Sequence, residues 1–279
     1  MYKTILVHVD QSARSTGRVQ VAARLAVRYQ GHLVGAAMTG LSAFMFPIGS
    51  VEAGMPPIVF PIEELRAQAE NALHQFDQTA AEEGVNAFER QLINDEAGAG
   101  MCLQARYSDL VVISQTAPEE FLPRLRSDFP EYVLINSARP VLVLPYTGVR
   151  GEIGRNVTVA WNGSAEAVRA ITSAIPMLQR AQRVDLVVLN ADDEAGLHGD
   201  VPGADMALYL ARHGIKVVVA TIEAGADDAG DALLSFAADK DADLIVMGGY
   251  GHSRFHEFLL GGMTRTVLAS SPVALWLAH

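Results

Sequence analysis

The chain writes one pattern of segments twice, and that repeat settles more about its fold than any other feature of its 279 residues. Thr4-Ile-Leu-Val-His-Val-Asp10-Gln-Ser12, followed by a helical pattern to Tyr29 and a strand at His32–Ala37, is answered by a second segment. That segment is Val157-Thr-Val-Ala-Trp-Asn162-Gly-Ser164, followed by a helical pattern from Glu166 to Gln179 and a strand at Val184–Asn190. The halves also close alike. Ser108-Asp-Leu-Val-Val-Ile113 matches Ala242-Asp-Leu-Ile-Val-Met247, and Pro140-Val-Leu-Val-Leu144 matches Pro272-Val-Ala-Leu-Trp276. A repeat of this length means one domain made twice, each copy burying its own core.

Within each copy, short apolar runs rich in β-branched residues alternate with amphipathic stretches. The second half predicts strands at 156–161, 184–190, 215–222, 243–248 and 273–277, with helices near 165–180, 203–213, 227–240 and 263–270. Strands separated by helices call for parallel βαβ units with right-handed crossovers. The fold class expected is therefore α/β, as two tandem doubly wound five-stranded parallel-sheet domains over 1–147 and 154–279. The joint runs through Tyr146–Arg155, which carries Gly148, Gly151 and Gly154. Ligands of such sheets sit beyond the carboxyl ends of the strands. One segment breaks the symmetry: Thr39–Pro61 is long, apolar and rich in Gly, Pro and Met, and reads as a cover over a crevice or a dimer contact.

Composition narrows the function classes. A net charge of -11, with Lys and Arg scattered along the chain, argues against nucleic-acid or anionic-membrane surfaces, which need clustered cations. No apolar run reaches the ~18 residues that span a bilayer, and the start reads straight into a strand rather than a secretory leader. One cysteine, Cys102, excludes an intrachain disulfide. Together these give an expectation of a cytoplasmic protein.

The most specific local signal is Gly248-Gly-Tyr-Gly251-His252-Ser253-Arg254, continued to Gly261-Gly262-Met263-Thr264. Glycines after a buried strand let main-chain N–H groups close on an anion, and a helix N-terminus just beyond favours a phosphate. Here the sequence resembles the universal stress protein family, whose signature is Gly-x2-Gly-x9-Gly-Ser/Thr after the fourth strand; Gly248, Gly251 and Gly261 fall at that spacing. The resemblance runs through both halves and identifies the tandem type. It implies a Rossmann-like, adenine-nucleotide alpha hydrolase-like fold and a stress-linked protein. It also implies binding of an adenine nucleotide, ATP with Mg2+, in the second half. The site residues it implies are Asn162, Gly163, Ser164, Ala191, Gly248, Gly251, His252, Ser253, Arg254, Gly261, Gly262, Met263 and Thr264. Two departures stand out. Gly262 holds the family's Ser/Thr position, for which Thr264 or Ser253 is a substitute hydroxyl, and Asn162 replaces the acid that ends the first strand. The first half reverses the pattern: Asp10 is present, but Ser114-Gln-Thr-Ala-Pro118 has no glycine motif.

The remaining constellations read as structural. His252 and His256 share a spacing seen in zinc sites, but no Cys or acid at ligand spacing joins them, so no metal site is expected. Asp192-Asp193-Glu194 reads as a solvated loop, Cys102 as a buried structural thiol, and Trp161 and Trp276 as packing residues. No Gly-x4-Gly-Lys-Ser/Thr loop and no Gly-x-Ser-x-Gly elbow is present, so no catalytic residue is assigned and the most expected of it as an enzyme is a slow ATPase. The alternatives to nucleotide binding are a scaffold for an unknown protein partner and a binder of a small apolar ligand under residues 39–61. The apolar final strands Val141–Leu144 and Val273–Leu277 lead to the expectation of an intrachain pseudo-dimer, as in related single-domain proteins; a homodimer of whole chains stays open.

Overall fold

The computed structural model describes residues 1–40, 61–116, 128–149, 151–191, 201–225, 228–250 and 262–279. The segment 41–60, on which the cover reading rests, lies outside them. In the first half the chain runs β1 (Thr4–His8), α1 (Ser15–Tyr29), β2 (His32–Met38), α2 (Ile62–Glu82), β3 (Phe88–Ile93), α3 (Ala97–Ala105), β4 (Leu110–Ser114), α4 (Phe129–Asn136) and β5 (Val141–Leu144). The second half repeats this with β6 (Asn156–Trp161), α5 (Ala165–Leu178), β7 (Arg183–Leu189), α6 (Ala204–Arg212), β8 (Val218–Ile222), α7 (Ala229–Asp239), β9 (Leu244–Gly248), α8 (Gly262–Ser270) and β10 (Ala274–Ala278). The alternation of strand and helix, with parallel pairing predominating, is the α/β architecture that the sequence led us to expect.

By packing, two compact units divide the chain, which passes from one to the other around the end of β4 and again inside α4. One unit comprises Tyr2–Val112 and Thr116–Val133. Its strands lie in the order β3-β2-β1-β4, all parallel. The central strands β1 and β4 are buried throughout their middles, as strands covered on both faces must be. Gly35 interrupts the apolar run of β2, and its reason is steric: the Phe76 ring of α2 would lie 2.7 Å from a Cβ there.

The other unit comprises Ile113–Gln115 and Leu134–His279, with Met1. Its strand order is β5-β10-β9-β6-β7-β8. The pairs β9–β6, β6–β7, β7–β8 and β10–β9 are parallel. The final strand of the first half thus belongs to this unit, where β5 and β10 pair antiparallel with Leu142 opposite Trp276. Gln115 fastens the arrangement. Buried at the end of β4, it donates from Nε2 to the Ser271 carbonyl at 3.0 Å and accepts at Oε1 from the Tyr146 N–H at 2.9 Å. The indole of Trp276, fully buried, donates to Ser173 Oγ at 2.9 Å.

Each unit is riveted at the foot of its sheet by the aspartate of the repeated Asp-Leu sequence. Asp109 accepts from the N–H groups of Lys3 and Thr4. Asp243 accepts from those of Gly154, Arg155 and Asn156. The joint's glycines are needed for their backbone: Gly148, Gly151 and Gly154 all have φ near +82°, a region closed to most side chains.

Two details differ from expectation. The strand predicted from 215 begins at Val218, because Gly214 (φ 76°) reverses the chain and Ile215 N–H bonds back to the Leu210 carbonyl, closing α6. Cys102 is half-buried rather than buried; its thiol is pushed up to about 11 by burial and by Glu96, which keeps it protonated and inert. Among the described residues no helix is long and apolar enough to cross a membrane.

Candidate functional site

The strand order of the second unit fixes where a ligand would meet it. β6 lies between β9 and β7, so chain leaving β6 and chain leaving β9 depart from neighbouring strand ends, the crevice that doubly wound sheets use. On the β6 side, Asn162 is exposed and follows the strand directly. Its Oδ1 accepts from Ser164 N–H at 3.2 Å and from Ser164 Oγ at 2.7 Å. Gly163 turns the chain with φ 75°. Ser164 then caps α5, accepting at Oγ from Ala167 N–H at 3.2 Å, and this satisfies one of the donors that a helix start leaves free. The first turn of α5 comes against β9: a Cβ on Gly248 would lie 2.5 Å from Ala167 N and 2.7 Å from the Glu166 carbonyl carbon. Gly248 is therefore glycine so that a helix start can touch the end of β9.

Beyond Gly248 the backbone is held in place. Gly249 N–H donates to the Ala278 carbonyl at 2.9 Å, and His279 Nδ1 lies 3.0 Å from the Gly249 carbonyl. Tyr250 takes the left-handed conformation, φ 55°, an uncommon state for a non-glycine residue. Its N–H donates to Thr264 Oγ1 at 3.3 Å, and Thr264 is buried. Gly262 opens α8 and is exposed, a Cβ there would meet nothing within 4 Å, and Met263 is half-buried. Ala191 is buried just past β7. Beside it stands Asn190, which sequence reasoning passed over: it has φ 51° and accepts at Oδ1 from Ala224 N–H at 2.8 Å. An Asn at the end of an apolar strand, a residue tolerant of that conformation, was the available signal.

Of the predicted site residues, Asn162, Gly163, Ser164 and Gly248 are brought together around the start of α5, and Thr264 reaches the same turn through Tyr250. Gly251, His252, Ser253, Arg254 and Gly261 lie outside the described residues, as do His256, Asp192–Glu194 and Pro118. Among the described residues no group of three or more His, Cys, Asp or Glu is placed to hold a metal ion.

The matching corner of the first half is built differently. Asp10 Oδ1 accepts from Ser12 N–H at 3.0 Å and Ser12 Oγ at 2.6 Å, and meets Arg18 Nη2 at 2.9 Å. Arg18, only 3% exposed, also donates from Nε to the His8 carbonyl at 2.6 Å. His8 is buried against the Phe129 ring, with centroids 4.9 Å apart, and its Nδ1 is 3.6 Å from Asp10 Oδ2. Burial pushes the His8 ring down to about 4; the Asp10 carboxylate opposes this and the Arg18 cation adds to it. Burial alone would raise Asp10, but Arg18, His8 and the Ser12 hydrogen bonds outweigh it and hold the carboxyl well below the usual range.

The model of the universal stress protein family matches residues 1–145 and again residues 154–279. Among solved structures, a universal stress protein from Archaeoglobus fulgidus is similar at 19% identity, with a TM-score of 0.74, covering 99% of this chain and 95% of that one. A putative universal stress protein from Pseudomonas aeruginosa, 15% identical with a TM-score of 0.63, covers 99% of this chain and 93% of that one. No curated protein matches the sequence.

Proposed function

The chain belongs to the universal stress protein family, and on that premise we propose that its second half binds one adenine nucleotide, ATP, as a sensing or regulatory input. The observation that carries this reading is the meeting of β9 with the start of α5. There, a glycine admits the helix turn, and an exposed amide, Asn162, stands at the neighbouring strand end. Backbone N–H groups and a helix start at a strand switch point suit a phosphate chain, and Asn162 offers an acceptor and donors to a ribose or base without charge. Thr264, buried and bonded to Tyr250 N–H, acts in this reading by holding the turn open. The glycine spacing Gly248, Gly251, Gly261 supplies the rest of the loop. With no acidic cluster among the described residues, Mg2+ would arrive on the nucleotide's own phosphates and neutralise them there.

The first half is not proposed to bind, since Ser114–Thr116 replaces the glycine loop and Gln115 is committed to Ser271 and Tyr146. Calorimetric titration with Mg-ATP tests this directly. One site per chain is expected, lost in Gly251→Val and in Gly261→Val while the far-ultraviolet spectrum is kept. Two equivalent sites would refute the asymmetry between the halves. No heat of binding at millimolar nucleotide would refute nucleotide binding and leave a protein scaffold as the working role.

A further inference from the structure

The two halves differ at three matched positions, and the differences form one set. Where the first half has His8, Asp10 and Arg18, the repeat places Ala160, Asn162 and Ala170 in the second. The polar trio is not solvated surface. Arg18 and His8 are almost wholly buried, and the Arg18 guanidinium spans from the His8 carbonyl to the Asp10 carboxylate. In the second half Ala160 and Ala170 are buried, no side chain from position 170 can reach back, and Asn162 stays exposed. Acid and arginine occur together in one copy; amide and alanine occur together in the other.

A buried arginine is costly unless a partner offsets the loss of water, and here Asp10 is that partner. The converse matters more for function. Asp10 Oδ1 already takes Ser12 N–H, Ser12 Oγ and the Arg18 ion pair, and Oδ2 faces the His8 ring at 3.6 Å, so the carboxylate's charge is matched within the chain. We propose that Arg18 is a built-in ligand of the first half: it occupies the carboxyl end of β1, neutralises Asp10 through Oδ1, and makes this copy a closed site that no nucleoside enters. The closure does not depend on the missing glycine loop, since it acts where a sugar or base would sit rather than where phosphates would. It extends the reading of the second half without resting on that half's affinity.

The test uses the whole chain and adenosine, a probe without phosphates and so indifferent to the glycine loop. Equilibrium dialysis compares wild type, Arg18→Ala, and the triple variant His8→Ala/Asp10→Asn/Arg18→Ala, which writes the second half's residues into the first. Both variants are expected to take up one more equivalent of adenosine per chain than wild type. In parallel, diethyl pyrocarbonate with peptide mapping reads access to the His8 ring: spared in folded wild type, and modified at least an order of magnitude faster in folded Arg18→Ala. Because binding is scored as the increment over wild type, the increment decides this proposal whether or not the second half takes up adenosine, and the Mg-ATP titration decides the reading of the second half separately. A folded variant with no added equivalent and an unreactive His8 overturns the proposal. So does failure of both variants to fold by circular dichroism, which would make Arg18 a pillar of the unit rather than a plug.

Discussion

On the proposed reading of the second half, a hydroxyl at residue 262 should tighten the binding of ATP, and the geometry makes this a clean change. Gly262 is the first residue of α8, lies outside the left-handed region, and has open space where a Cβ would stand. Gly262→Ser therefore needs no rearrangement, and exchanging Gly for Ser in a helix contributes about 0.5 kcal/mol of stability by propensity alone. A hydroxyl donated to an ionised phosphate adds about 1.5–3 kcal/mol. At about 1.4 kcal/mol per decade, the dissociation constant should fall roughly ten- to a hundredfold. Gly262→Ala is the control: it gains the same Cβ and slightly more helix propensity, but no donor. Calorimetry with Mg-ATP on the three proteins, with thermal melts alongside, separates the two contributions. The reasoning is refuted if Ser and Ala change affinity equally, or if Ser raises the melting temperature and leaves the affinity where it was.

Three further outcomes follow from the geometry. Because the folded pKa of His8, about 4, lies below its unfolded value of 6.5, the unfolded chain takes up a proton that the folded chain refuses between those limits. Stability should therefore fall as pH drops through that window, by up to about 3 kcal/mol from this site, and His8→Gln melts should show a flatter pH dependence. Asp243→Ala leaves three backbone N–H groups without their acceptor and should cost about 3 kcal/mol in urea titrations, with Asp243→Asn costing less. Ser164→Ala removes the cap of α5 and should cost about 1 kcal/mol by the same assay; an unchanged midpoint would mean that water caps the helix equally well.

The repeat made most of this architecture legible in advance, since the apolar runs that define the strands must be apolar whichever way the units are cut. Val141–Leu144 and Ala274–Ala278 do pair, as two bare apolar edges should. What escaped was whatever depends on a single hydrogen bond, near or far. Ile215 reads as strand because it is β-branched and apolar, yet it serves to close α6 across Gly214. Arg18 sits in a helix whose period assigns it to the core face, and a lone arginine there gives no sign of whether it snorkels outward or finds an acid. Gln115 is equally silent until Ser271 is seen beside it. In the candidate site, spacing singled out Gly248, and the Asn ending β7 was a local hint of its left-handed turn, while the left-handed turn at Tyr250 is accompanied by a bond to Thr264 that no local pattern encodes.

The clasp of Gln115 on Ser271 also fixes an order of events during synthesis. Its two ends are 156 residues apart, so at roughly 5–20 residues per second a ribosome needs on the order of 10–30 s between them. For most of that interval β5 has been made, apolar and without its partner β10, while the first unit already has every strand of its own. The nascent chain thus passes through a stage in which half of it is finished and one sticky strand is on offer. A chaperone, a second nascent chain on the same messenger, or a slow stretch of codons would each act on the protein at that stage.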